Sequence, residues 1–246
     1  MSEIQSLARG LKILDLLGQS QEGVGITEMA EILDINKSSA SRLVNTLVKY
    51  GYADKDEVTR LFHLGPRVVT LSRSILTRLP LREVAKPYLR QLMEATGECA
   101  HLGISAHGCV LYIDQVESPA TLRVNAEVGT LNPLHCTALG KVLLAFDDQG
   151  IPDPLEIFTP QTITDVETLR SHLDIVRRLG FAVDDEEFDT GVRCIAVPIF
   201  DFRNKAIGSI GISGPSTRIT DELLPDLAAT VVRIGKELSE RMSFIH

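Results

Sequence analysis

The chain lacks the local signatures by which enzymes acting on small molecules are recognised. Among its 246 residues there is no GxSxG elbow, no HExxH helix and no glycine-rich phosphate loop. No catalytic residue is therefore assigned. No apolar run approaches the roughly 20 residues that a membrane helix needs, and Met1-Ser2-Glu3 is not the basic opening of a secretion signal. No membrane partner is expected. Cysteine is sparse: Cys99, Cys109, Cys136 and Cys194 have neither CxxC spacing nor disulfide density, which points to a reducing cytoplasm. His135-Cys136 with the distant Cys194 does not have the spacing of a metal site. As a nucleophile–base pair these residues have no oxyanion feature beside them. Neither metal nor cofactor is expected, and internal repeats and low-complexity segments are absent.

Acid is scarce where it matters. The formal net charge is −8, but residues 1–80 hold 10 Lys/Arg against 9 Asp/Glu, while residues 81–246 hold 15 against 24. From Lys37 to Arg78 there are eight bases and three acids. The acidity belongs to the second half, so the overall sign does not exclude a nucleic-acid partner for the first.

The basic segment contains a helix-turn-helix pattern. Thr27–Leu33 reads as a short helix with Thr27 at its N-cap and Glu28 in its first turn. Asp34-Ile35-Asn36 forms a polar break. Beyond it, Ala40, Leu43, Val44, Leu47 and Val48 recur at helical spacing. The opposite face carries Lys37, Ser38, Ser41, Arg42 and Asn45 and no acid. Such a face can donate hydrogen bonds to base edges and phosphates. By itself the pattern also suits any amphipathic helix with a polar side. The residues after Val48 narrow it: Gly51 suits a left-handed helix end, and Ala53–Lys55, a turn at Asp56–Val58 and Thr59–Leu64 read as a hairpin. The order is that of a winged helix-turn-helix, with Arg60 near the wing where it can reach a phosphate.

Leu7, Leu11, Ile13, Leu14, Leu16 and Leu17 predict an apolar first helix, able to pack on the winged domain and to meet a second subunit. A dimer reading two half-sites is the expectation for this motif. After Gly65-Pro66, a helical rhythm from Val68 to Leu79 predicts a linker helix of about fourteen residues, roughly 21 Å long. Leu81–Thr96 is a further helix that Pro87 kinks or restarts. The domains are thus placed at 1–65, 66–80 and 81–246, giving an α+β chain.

The last of these reads as an α/β domain with an antiparallel sheet. Strands are predicted at His101–Ser105, Val110–Gln115, Thr121–Ala126, Phe181–Asp184, Ile195–Phe200 and Ala206–Ser213. Helices are predicted at Thr137–Phe146, from a capping box at Thr164–Glu167 to Gly180, and from Thr220 to about Ser243.

The chain resembles the IclR family of transcriptional regulators along essentially its whole length. The resemblance is carried by Leu7-Ala8-Arg9-Gly10-Leu11-Lys12-Ile13-Leu14, Lys37-Ser38-Ser39-Ala40-Ser41-Arg42-Leu43 and Leu134-His135-Cys136-Thr137-Ala138-Leu139-Gly140-Lys141. It continues in Asp185-Glu186-Glu187 with Gly191–Ala196, and in Ser213-Gly214-Pro215 with Arg218-Ile219-Thr220. It implies a GAF-like effector domain, a dimer or dimer of dimers, and double-stranded operator DNA whose binding responds to a small metabolite, often a carboxylate or aromatic acid. It also implies an effector pocket lined by Ala138, Leu139, Gly140, Asp184, Cys194, Gly211 and Ser213, at the start of a helix whose free N–H groups suit an anion. Relatives carry a hydroxyl residue where this chain has Gly211, which implies more room and one donor fewer. Val124 and Leu122 would supply an apolar wall.

Each assignment has a plainer alternative. Cys194 serves equally as a small buried hydrophobe, Asp184 as part of a solvated acidic run, Ser213 as a turn cap. Arg193 reads as a structural ion-pair partner, and Lys141 either neutralises a ligand or faces solvent. The rival for the whole chain is a small-molecule enzyme or carrier with an accessory winged-helix domain.

Overall fold

A computed structural model describes residues 3–76, 80–124, 127–147 and 150–244, and the chain divides into two compact units, Met1–Arg78 and Leu79–His246.

The first unit closes on one small apolar core. Helix α1 (Gln5–Gln19) contributes Ile13 and Leu17, α2 (Ile26–Ile32) Met29 and Ala30, and α3 (Lys37–Lys49) Ala40 and Val44. Ala53 of β1 (Ala53–Lys55) and Phe62 of β2 (Phe62–Leu64) complete it. Burying each large side chain here contributes about 1.5–3 kcal/mol. The second helix begins one residue earlier than predicted. Gly25 precedes it with no side-chain cap, so Thr27 sits inside the first turn and caps nothing. The true cap belongs to α3, where Asn36 Oδ1 accepts from the Ser39 N–H at 2.8 Å. Gly51 ends that helix at φ 76°.

The hairpin is shorter than predicted. Thr59 and Arg60 belong to its loop, and Phe62 also exchanges backbone hydrogen bonds with Val24, a contact without a sequence signal. Helix α4 spans Arg67–Leu76. Residues 77–79, the end of the predicted linker helix, lie outside the described residues.

The second unit is a six-stranded sheet in the order β5-β4-β3-β8-β7-β6, antiparallel at every pairing. The strands are β3 (Cys99–Ala106), β4 (Cys109–Val116), β5 (Leu131–Pro133), β6 (Ala182–Asp185), β7 (Val192–Phe200) and β8 (Ala206–Pro215). Period-2 alternation sorts the side chains to two faces. Ala100, Leu102, Ile113, Ile195, Val197, Ile210 and Ile212 pack against α5 (Pro80–Thr96) and α8 (Leu224–Met242). Helix α5 runs through Pro87 without a restart. The other face, with Val110, Tyr112, Ala182 and Ala196, packs against α6 (Ala138–Phe146) and α7 (Val166–Leu179). Gly103 lets α6 lie close: a Cβ there would fall 2.6 Å from Val110 Cγ2 and 3.4 Å from Leu139 Cδ1 of that helix.

Four expectations are corrected. Residues 121–124 form no strand, and 125–126 lie outside the described residues. The carbonyls of Leu122 and Val124 are taken by side chains, the Arg218 guanidinium at 2.9 Å and the Cys99 thiol at 2.8 Å, rather than by a ladder. The strand at Leu131–Pro133 is absent from the sequence-based expectation. The cap of α7 is Asp165, accepting from the Thr168 N–H at 2.7 Å, and not Thr164. The last helix starts at Leu224 after a turn at Thr220–Leu223.

Candidate functional site

Two surfaces collect the residues singled out in the sequence. On α3 the buried stripe fixes the opposite face outward: Lys37, Ser38, Arg42 and Asn45 are exposed and Ser41 is half-buried. Their polar atoms are held by the helix itself. Ser38 Oγ donates to Asn36 Oδ1 at 2.7 Å, and the Asn45 amide donates to the Ser41 carbonyl at 2.7 Å and to its hydroxyl at 3.1 Å. Arg42 donates to Ser39 Oγ at 3.4 Å. These local bonds use the one hydroxyl hydrogen of Ser38 and both amide hydrogens of Asn45, so the side chains are held in place and must exchange these bonds to reach a base or phosphate. Arg60 stands in the hairpin loop at φ 64°, 3.0 Å from Glu57, with both side chains exposed. An exposed pair of this kind is worth about 0–1 kcal/mol, so the guanidinium is free to exchange Glu57 for another anion.

The second surface is a cavity of about 340 Å³ on the α6 face of the sheet. Sheet register explains what meets there. Asp184 of β6 lies opposite Cys194 of β7, Cys194 opposite Ser213 of β8, and Ser213 opposite Cys99 of β3, so the four form one row across the sheet. Asp184, Cys194 and Ser213 line the cavity, and the Cys99 thiol holds the carbonyl of Val124, which lines it too. Thr137, the N-cap of α6, forms another part of the wall. Its hydroxyl donates to the Pro133 carbonyl and accepts from the Gly140 N–H.

Ala138, Leu139, Gly140 and Gly211 are not on the wall. Ala138 and Leu139 are buried in the apolar core under α6. Gly140 is pressed on Leu134, where a Cβ would fall 2.5 Å from its Cα. Gly211 gives no extra room either: its missing Cβ would press on the Ile195 carbonyl and lie 2.9 Å from the Ala196 Cβ. Leu122 is 66% exposed and forms no wall.

Sequence reasoning missed Tyr112, Thr130, Asn132, Phe188 and Val192, which share the lining, as do Glu127 and Asp189. Tyr112 could have been found by alternation from Val110. Asn132 could not, since a three-residue strand carries no periodic signal.

Burial governs the chemistry of this site. It pushes the carboxyl of Asp184 from its ordinary 3.8 up to about 7, against the pull of Lys141 and the hydrogen bond from the Glu187 N–H at 2.8 Å. The Cys194 thiol, hydrogen-bonded to Asp184, is raised well above its usual range, and burial lifts Cys136 to about 12. Both are inert thiols rather than nucleophiles. His101 shares a 2.5 Å hydrogen bond with Ser213 Oγ and stacks edge-on against Tyr112; burial lowers it to about 4, so it is neutral. Lys141 neither faces solvent nor lines the cavity. It is fully buried, ion-paired with Glu187 and 3.5 Å from His172, whose own proton affinity burial and Lys141 depress to about 4. Arg193 is the structural partner anticipated, bridging Asp185 and Asp221 and donating to the Ile219 carbonyl. A bidentate pair, Arg218 on buried Glu98, clamps the loop through Leu122 beside the cavity. Among the described residues no cluster has the makings of a metal site.

A winged helix-turn-helix unit followed by a cavity-bearing α/β unit is the architecture of a one-component regulator. The model of the IclR helix-turn-helix domain matches residues 6–57, and that of the bacterial transcriptional regulator IclR C-terminal domain matches residues 73–240. The chain belongs to the IclR family, and is a DNA-binding, ligand-responsive transcriptional regulator. It is 39% identical over 246 residues to the HTH-type transcriptional regulator BhcR of Paracoccus denitrificans, covering 98% of this chain and 88% of that one. An IclR transcriptional regulator from Alicyclobacillus acidocaldarius has the same fold, with a TM-score of 0.82, 27% identity and coverage of 98% and 100% of the two chains. An IclR homologue from Microbacterium hydrocarbonoxydans, complexed with 4-hydroxybenzoate, shares the fold at a TM-score of 0.81 with 22% identity, over 96% and 98%.

Proposed function

We propose that Ser38, Ser41, Arg42 and Asn45 read base edges in the major groove of operator DNA while Lys37 and Arg60 hold phosphates, and that a small organic acid in the cavity alters this binding. The observation that carries the reading is the acid-free, outward face of α3, whose donors are pre-oriented by the helix and whose back is locked into the core. On the effector side the contacts are Val124, Asp184, Cys194 and Ser213, joined by Tyr112, Asn132 and Thr137. Aromatic acids are candidates because a homologue of the same fold is complexed with 4-hydroxybenzoate. The working unit is a homodimer or a dimer of dimers in the cytoplasm, with residues 1–65 on DNA, 66–80 as the linking helix and 81–246 as the sensor. Dimerisation is supported by Ile4, which precedes α1, and by Leu7 and Leu11 on it, 67%, 60% and 54% exposed on one stripe.

Binding to fragments of the promoter upstream of the chain's own gene and its neighbours, read by fluorescence anisotropy, tests the DNA face. Arg42→Ala is expected to weaken the tightest fragment by about 10- to 100-fold and to relax base preference at one position, the effect of about 1–3 kcal/mol for a lost bidentate contact. Unchanged affinity and preference in a folded variant would remove Arg42 from the reading face.

A further inference from the structure

A carboxylate that enters the cavity meets no cation. The described walls carry Glu127, Asp184 and Asp189, with no Lys, Arg or His among them. Lys141 acts on Asp184 through the wall, but it is sealed behind that wall with its charge matched by Glu187. Two ionised carboxylates in a buried site repel strongly, and such pairs persist by sharing a proton.

Asp184 is placed to hold that proton. It is 2% exposed, Oδ1 accepts the Glu187 N–H at 2.8 Å and the Phe188 N–H at 3.4 Å, and the carboxyl is hydrogen-bonded to the Cys194 thiol, so its other oxygen is the one that no backbone N–H occupies. The titratable groups around it are Cys194 from β7, Tyr112 from β4, Cys136 and Lys141 at α6, Glu187 from the loop after β6 and His172 from α7 behind Lys141, with His101 of β3 bonded to Ser213 and packed on Tyr112, and the wall carboxylates Glu127 and Asp189. Burial raises both thiols and the phenol and lowers His172 and His101, so these five are neutral near pH 7; burial raises the Glu187 carboxyl too, but its ion pair with Lys141 works against that rise. Asp184, raised to about 7 by the same burial and with no ion-pair partner among the described residues, is the cavity group placed to change charge in that range.

We propose that Asp184 is the specificity-determining residue of the cavity, binding a monocarboxylate effector as a neutral carboxyl that donates its hydrogen to the ligand's carboxylate, so that ligand and one proton are taken up together. The inference rests on the cavity being the effector site. Such a site selects monoanions: a phosphate or a dicarboxylate brings a second charge for which the walls hold no partner.

The test uses the full-length protein with 4-hydroxybenzoate and a panel of small aliphatic and aromatic monocarboxylates, each beside its primary amide. Thermal shift finds the ligands, and calorimetry at pH 6 and pH 8, in buffers of different ionisation enthalpy, counts protons. For the acids that bind, affinity should fall about tenfold from pH 6 to pH 8, with proton uptake approaching one at pH 8. Asp184→Asn, whose amide keeps a donor and an acceptor in place, should bind the same acids with no proton uptake and no pH dependence. Affinity independent of pH in the wild type, uptake near zero at pH 8, or preference for amides over acids overturns the inference while leaving the cavity as the effector site. Binding of neither class overturns the cavity as the effector site, and this inference with it. Should the Asn variant fail to fold, the wild-type proton count decides alone.

Discussion

At pH 8 Asp184 must carry a charge inside a site built for neutral groups. Its folded-state pKa is raised from 3.8 to about 7, so the folded protein holds a proton that the unfolded chain gives up. Stability therefore falls as pH rises through the window between these values and is flat above it. Asp184→Asn removes that loss while its side-chain oxygen still accepts the Glu187 N–H. Thermal unfolding of the variant without ligand should show little difference from wild type at pH 4 and a melting temperature a few degrees higher at pH 8; an equal shift at both would mean that packing, not charge, decides. Gly211 carries a second prediction at this scale. As a residue without a side chain it reads as vacated space, but the space is filled by the backbone of Ile195 and the methyl of Ala196. Gly211→Ser should add no ligand contact and should destabilise the domain by about 1–3 kcal/mol, the usual result of overpacking. An unchanged melting temperature would show that β7 can move aside. A single sequence states which atoms a residue lacks, not which neighbour has used the room, and Lys141 is open to misreading for the same reason. Nothing around it in sequence announces that Glu187, 46 residues on, neutralises it inside the core.

Among the elements, those with strong periodicity are legible in the sequence, and those shaped by tertiary contacts are not. The stripe from Ala40 to Val48 predicts α3, because a helix must turn one face to the core whatever that core contains. The long apolar runs of β3, β4, β7 and β8 are legible for the parallel reason, since each is covered on both faces. Thr121–Ala126 alternates as a strand does, but the Arg218 guanidinium and the Cys99 thiol take carbonyls that a ladder would need. Leu131–Pro133 is too short to show a period, so the wall bearing Asn132 is invisible in the sequence. At α7, Thr164 and Asp165 both have capping side chains, and the first turn is set one residue later than the capping-box spacing suggests. The Glu98–Arg218 clamp gives a prediction at the scale of the loop. Arg218→Ala leaves Glu98 buried without its partner and frees the Leu122 carbonyl, so amide hydrogen exchange should quicken across residues 118–124 and effector affinity should drop. Exchange confined to residue 218 and its neighbours would mean that the loop is held by Cys99 and Ser118 without the clamp.

For the whole molecule the decisive quantity is the separation of charge and apolar surface between the two units. Residues 1–80 balance at +1 and residues 81–246 at −9, so the sensor contributes no attraction for DNA and the affinity must come from few cationic contacts per subunit. With about 0.9 counterion released per phosphate neutralised, Lys37→Ala and Arg60→Ala should each lower the slope of log affinity against log salt by about one per subunit engaged. Few contacts make a second copy valuable, because joining two readers raises avidity by about 10²- to 10⁴-fold without any new base contact. The stripe of Ile4, Leu7 and Leu11 lies on the side of α1 away from Ile13 and Leu17, which serve the core. Changing it should therefore cost assembly and not folding. Leu7→Glu with Leu11→Glu is expected to keep its helical content while moving toward monomer in sedimentation velocity, and to lose operator affinity by a factor in that range. It should also halve the salt slope, since one reader remains engaged where two were. A variant that sediments unchanged would place the subunit contact elsewhere. One that becomes monomeric yet binds its operator undiminished would mean that a single α3 face suffices.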